Sequence, residues 1–153
     1  MDASTIVDEY VEASDLENFA RAYSEQSGRG PVSAIVAFNY AHALIRSSKE
    51  NVRTGIFILE GLLKKDIEDI PKRDYVYYLA VAYTRLREYD RALDYINALL
   101  AAESDNRQAI ALKELINQRM KKDSLVGLAF IGLGGVAAVG ASLIAAGILS
   151  RRH

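Results

Sequence analysis

The chain has 153 residues, half of them hydrophobic, and a formal net charge of −1. That balance leaves no electrostatic footprint for nucleic acid. The absence of cysteine excludes disulfides and thiol chemistry. With only His42 and His153 present and no P-loop or zinc spacing, the chain offers no material for a catalytic, metal or cofactor site.

The first twelve residues form an acidic arm in which Ile6, Val7, Tyr10 and Val11 are spaced for a short helix. They have neither the long apolar run of a signal peptide nor the basic residues of a transit peptide. Such an arm could lie across a binding groove or simply cap the domain. Ser14-x-x-Glu17 has the form of a capping box, and Leu16, Phe19, Ala20 and Tyr23 behind it share one helical face. Ser27–Pro31 is a break that places Pro31 in the first turn of the next helix, with Ile35, Phe38, His42 and Ile45 as its apolar stripe. After a polar turn at 47–51, Val52, Ile56, Leu59 and Leu63 mark another helix. An acidic link, Asp66 to Pro71, precedes a helix with Val76, Leu79, Ala80 and Tyr83 inward. Glu88-Tyr89-Asp90 starts the next, which buries Ala92, Leu93, Ile96 and Leu99. Asp105-x-x-Gln108 opens the last helix of the soluble part, with Ala109, Leu112, Ile116 and Met120 on one face. No alternating run or Asn-Gly or Asp-Gly turn signals a strand.

From Leu125 to Leu149 there is no charge; Lys121, Lys122 and Asp123 lie before this run, and Arg151, Arg152 and His153 after it. As a helix it would reach about 37 Å, more than the roughly 30 Å of a hydrocarbon core. Small residues four apart, such as Ala137, Ala141 and Ala145, would let two such helices pair. The predicted architecture is all-α: a bundle of about six helices over 13–122, a single C-terminal transmembrane anchor at 125–149 and a basic tail at 150–153.

Two stretches of the bundle repeat. Asn39-Tyr40-Ala41-His42-Ala43-Leu44 leads to Gly55-Ile56-Phe57-Ile58-Leu59, and Tyr77-Tyr78-Leu79-Ala80-Val81-Ala82 leads to Ala92-Leu93-Asp94-Tyr95-Ile96. The spacing approximates the 34-residue tetratricopeptide period. Units of about 35–69 and 73–104 follow, flanked by capping helices. Ala80, Tyr83, Tyr89, Ala92 and Ile96 match the small and large positions of that pattern, whereas His42 and Gly55 stand at the small positions of the first unit. In such stacks the first helix of each pair lines a concave face. Here that face would carry Asn39, Ala43 and Arg46, then Asp74, Tyr77, Val81, Thr84 and Arg85. An aliphatic floor with tyrosines and arginines suits a docked peptide or helix.

In order and content the chain resembles the mitochondrial fission 1 protein family. The resemblance is carried by Arg73-Asp74-Tyr75-Val76-Tyr77-Tyr78-Leu79-Ala80-Val81, by Arg85-Leu86-Arg87-Glu88-Tyr89-Asp90-Arg91-Ala92-Leu93 and by Met120-Lys121-Lys122-Asp123-Ser124-Leu125-Val126-Gly127. It implies a non-enzymatic adaptor on the mitochondrial outer membrane and peroxisomes. Such an adaptor helps recruit a dynamin-related GTPase and its adaptors, or Rab-regulating proteins; the small-residue spacing of the anchor separately allows a homo-oligomer. It also implies a groove at Leu44, Arg46, Tyr77, Tyr78, Val81 and Arg85. The alternative is a tail-anchored import or chaperone-docking receptor, although Ala43 and Arg46 stand where a Lys and Asn clamp would be.

Overall fold

Short polar turns punctuate the chain, and each starts a helix. The computed structural model describes residues 1–65 and 70–131. It contains α1 (Ala3–Asp8), α2 (Ala13–Ser27), α3 (Ala34–Leu44), α4 (Lys49–Lys64), α5 (Lys72–Arg85), α6 (Tyr89–Ala102) and α7 (Arg107–Ile131). All regular structure among the described residues is helical. Helices α3 and α4 pack as one antiparallel pair and α5 and α6 as a second, with α2 on α3 and α7 on α6. This is the tetratricopeptide-like bundle expected from the repeat.

Side-chain caps fix the helix starts. Ser33 Oγ accepts from Val36 N–H, Ser48 Oγ from Asn51 N–H and Asn106 Oδ1 from Ala109 N–H. The cap of α7 is therefore Asn106, one residue past the expected Asp105. The expected box at Ser14 and Glu17 does not form: α2 begins at Ala13 without a side-chain cap. Pro31 precedes the first turn of α3, which Ser33 caps instead. The α5–α6 turn closes in a Schellman motif, with Glu88 N–H on Tyr83 O and Arg87 N–H on Thr84 O. This puts Arg87 at φ 61°, a conformation that favours glycine.

Of the expected apolar stripe of α3, Ile45 is buried, Phe38 packs against the core and His42 is half-buried, and Ile35 alone turns outward. The buried face of the helix is Ala34, Ala37, Ala41 and Leu44, while Ile35 is 53% exposed. Alanines face inward because α4 lies close: a Cβ on Gly55 would come within 2.7 Å of Ile45 Cγ2 and 3.0 Å of Ala41 O. The small position of the first unit is thus a steric requirement of the helix pair. Helix α5 is central and is packed by α1, α4, α6 and α7. Tyr75, Val76, Tyr77 and every residue from Leu79 to Thr84 are buried on it. Burial on all sides explains why its sequence shows only a weak amphipathic stripe.

The expected anchor lies outside the described residues apart from its first turns, which α7 enters as far as Ile131. Among the described residues, no helix is long and apolar enough to cross a membrane. The basic tail at 150–153 and part of the acidic 66–71 link also lie outside them.

Candidate functional site

The first helices of the pairs, α3 and α5, and the following α7 present the concave face, and the arm occupies it. Helix α1 packs on both α5 and α7. Asp2 nucleates it: one carboxylate oxygen accepts from Thr5 N–H at 2.8 Å and from the Ser4 and Thr5 hydroxyls. These bonds hold the Asp2 carboxyl down at about 2, the backbone bond from Thr5 contributing most. Val7 is the arm's anchor, with no exposed surface.

Three arginines, one from each of these elements, grip the end of the arm. Arg85 donates to Val7 O, Glu9 O and Ser47 O, and its guanidinium lies 4.4 Å from the Tyr10 ring centroid. Arg46, just past α3, pairs with Glu9 at 3.6 Å, and its backbone carbonyl accepts from Val11 N–H. Arg119 on α7 forms a two-point bridge to Asp8 at 2.7 and 3.0 Å. Arg85 thus reads main-chain carbonyls, which any polypeptide carries, while Arg46 and Arg119 read carboxylates.

An aromatic cluster lies beside the grip. His42 packs 4.6 Å from Tyr78 and 6.0 Å from Phe38, centroid to centroid. Burial, with the Arg46 charge as a second cause, pushes His42 down to about 4, so the ring is neutral at neutral pH. Burial likewise raises Tyr77 and Tyr78. A cavity of about 430 Å³ remains alongside the arm, bordered by Met1, Ile6, His42, Tyr77, Tyr78 and Gln108. Tyr77 is 8% exposed, and its hydroxyl has no hydrogen-bond partner.

Of the expected lining residues, the structure gathers Arg46, Tyr77, Tyr78 and Arg85 around the arm. Asn39 is half-buried on α3. An open lining needs correction at four positions: Ala43, Leu44, Val81 and Thr84 are all buried. Leu44 turns toward α4, where its Cβ lies 3.2 Å from the position a Gly55 Cβ would take. The Thr84 hydroxyl donates to Ala80 O at 2.6 Å and is already satisfied. Val81 belongs to the hydrophobic core. Sequence reasoning missed Arg119 as a groove residue. The signal was present, because Arg119 continues the Leu112–Ile116 stripe of α7 by three more residues.

A helical repeat scaffold that holds its own N-terminal segment against α5 and α7 places the chain among tetratricopeptide-like proteins. Residues 36–66 match the Fis1 N-terminal tetratricopeptide repeat model, and residues 73–125 match the Fis1 C-terminal tetratricopeptide repeat model. The FIS1-related protein fis-2 of Caenorhabditis elegans is 46% identical over 99% of this chain and 100% of its own. Mitochondrial fission 1 protein of Mus musculus is 45% identical over 83% of this chain and 84% of its own. The crystal structure of Fis1 from Saccharomyces cerevisiae superposes with a TM-score of 0.72 at 26% identity, covering 84% of this chain and 97% of that one. Yeast Fis1 in complex with an Mdv1 fragment gives 0.71 at 27% identity, covering 80% and 94%. The chain belongs to the mitochondrial fission 1 (Fis1) family.

Proposed function

We propose that this protein is a non-enzymatic adaptor that recruits the mitochondrial fission machinery through its concave groove. The observation that carries the reading is the seating of the arm: Arg85 binds two of its main-chain carbonyls, so the groove can hold a polypeptide. The likeness to mitochondrial fission 1 proteins and to yeast Fis1 captured with an Mdv1 fragment supports the same role. The partners are the dynamin-related GTPase, its adaptors and Rab-regulating proteins. The uncharged run 125–149 holds the protein on the outer membrane of mitochondria and on peroxisomes, with the groove facing the cytosol. Small residues along that run permit self-association. The arm competes with partners for the groove.

The chaperone-receptor alternative gains nothing from the site. A clamp of exposed Lys and Asn side chains would need Ala43 and Asn39 open to solvent, and Ala43 is fully buried.

The test is expression of the untagged chain in cells with mitochondria imaged. Fragmented networks are expected, and Arg85→Glu should leave them tubular. Unchanged networks with altered precursor import would contradict the adaptor role. Recovery of the intact chain in the soluble fraction would contradict the anchor.

A further inference from the structure

The arm is a resident ligand, and what holds it specifies what can replace it. Arg46 in the turn after α3, Arg85 on α5 and Arg119 on α7 converge on residues 7–9. Asp8 and Glu9 supply both carboxylates that pair with them. When the arm leaves, it takes those carboxylates along and leaves three guanidiniums on one face. The acidic group on the concave side of α5, Asp74, lies eleven residues from Arg85 on the same helix, about 16 Å away along its axis. That exceeds the roughly 8–10 Å screening length of physiological salt, so Asp74 does not neutralise the cluster. Arg73, at the same far end, is engaged with Glu103 at 3.4 Å.

Resting on the groove reading above, we infer that the segment which displaces the arm is an acidic, short amphipathic helix: an aliphatic residue followed by two carboxylates, running in the arm's direction. The aliphatic residue takes the buried place of Val7. The carboxylates meet Arg119 and Arg46, and main-chain carbonyls meet Arg85. A neutral segment would leave half-buried Arg46 without its carboxylate and Arg119 with only Asp123, one turn further along α7 and already accepting from the Tyr89 hydroxyl, and a basic one would add like charge to them. The cavity beside Met1 and Ile6 shows that the arm underfills the groove. A replacing segment that extends further at its N-terminal side would enter this space and offer an acceptor to the Tyr77 hydroxyl, which the arm leaves unpartnered. Tight partners therefore carry an acceptor about two turns or more before the acidic pair.

The experiment uses the full chain in detergent with Val7→Asp, which expels the arm from its buried seat. A second version, Asp8→Asn with Glu9→Gln, loosens the arm without touching the core. Synthetic helical twelve-residue peptides share one apolar pattern and differ only at the pair, as Asp-Glu, Asn-Gln or Lys-Lys. The acidic peptide should bind at least about tenfold more tightly than the neutral one, and the gap should shrink as salt rises from about 50 to about 500 mM. The preference should vanish in Val7→Asp chains that also carry Arg46→Gln and Arg119→Gln, the two carboxylate-pairing arginines. Equal binding of the neutral or basic peptide would overturn the acidic-ligand inference and leave the groove intact. Failure of every peptide to bind either folded variant would overturn the inference and the groove reading together.

Discussion

The two sides of α5 are built from similar residues and do opposite things. On the side facing α4 and α6, Glu60 accepts from the Tyr83 hydroxyl at 2.7 Å and from the Tyr95 hydroxyl at 3.3 Å. The two rings stack at 5.8 Å, and Arg91 lies against Tyr83. Each polar tip there ends on a permanent neighbour. On the concave side, Tyr77 has no partner and the arginines end on a segment tethered only through residues 9–12. A closed polar network stabilises a scaffold, whereas one completed by a removable segment is a binding site.

The comparison can be broken most forcefully with acid. Because His42 falls to about 4 in the folded protein against 6.5 ordinarily, the unfolded chain binds the extra proton first. Stability is therefore full above about pH 6.5 and is lost as pH falls toward 4, by up to about 3 kcal/mol. Urea titrations between these limits should show the slope, and His42→Phe should flatten it. A variant with an undiminished slope would remove His42 from the account.

Glu60→Ala comes next. It removes the shared acceptor of the Tyr83 and Tyr95 hydroxyls on the scaffold side and should cost about 2 kcal/mol in chemical denaturation. Amide exchange in residues 3–8 should match the native chain at equal distance from global unfolding.

The sharpest contrast is between two tyrosines one turn and a half apart. Tyr83→Phe removes a satisfied hydroxyl and should destabilise by about 1 kcal/mol, whereas Tyr77→Phe removes an orphaned one and should stabilise by about 1 kcal/mol. Equal signs in thermal melts would erase the distinction between the two faces. The smallest stability change is expected for Arg85→Gln, under about 1 kcal/mol, because the arm it holds can open without unfolding the core. Its effect should appear instead as faster exchange of the α1 amides.

Most of the scaffold was legible because helix periodicity and small-residue spacing are local signals. Ala80 and Ala92 lie buried in the second unit where the repeat places small residues. The stripe of α3 failed at Ile35 alone, and the alanines beside it turn inward because Gly55 on another helix lets α4 approach closely, a fact not contained in the sequence of α3. The cap of α7 moved by one residue, since Asp105 and Asn106 compete for the same backbone donors, whereas α2 starts ahead of Ser14 with no side-chain cap. The groove was legible as a face but not as an occupied one. Arg85 to Val7 and Arg119 to Asp8 span 78 and 111 residues, and no local pattern joins such pairs.

The central claim is that partners enter the place the arm now holds. Because the chain has no native cysteine, Asp8→Cys with Arg119→Cys can be joined selectively by a short bismaleimide. Pull-down of the cognate fission adaptor on the joined and unjoined full chain then gives the direct answer. The account predicts that joining abolishes capture relative to the unjoined double variant, which is the reference because it lacks Arg119 as well; undiminished capture by the joined protein would contradict it.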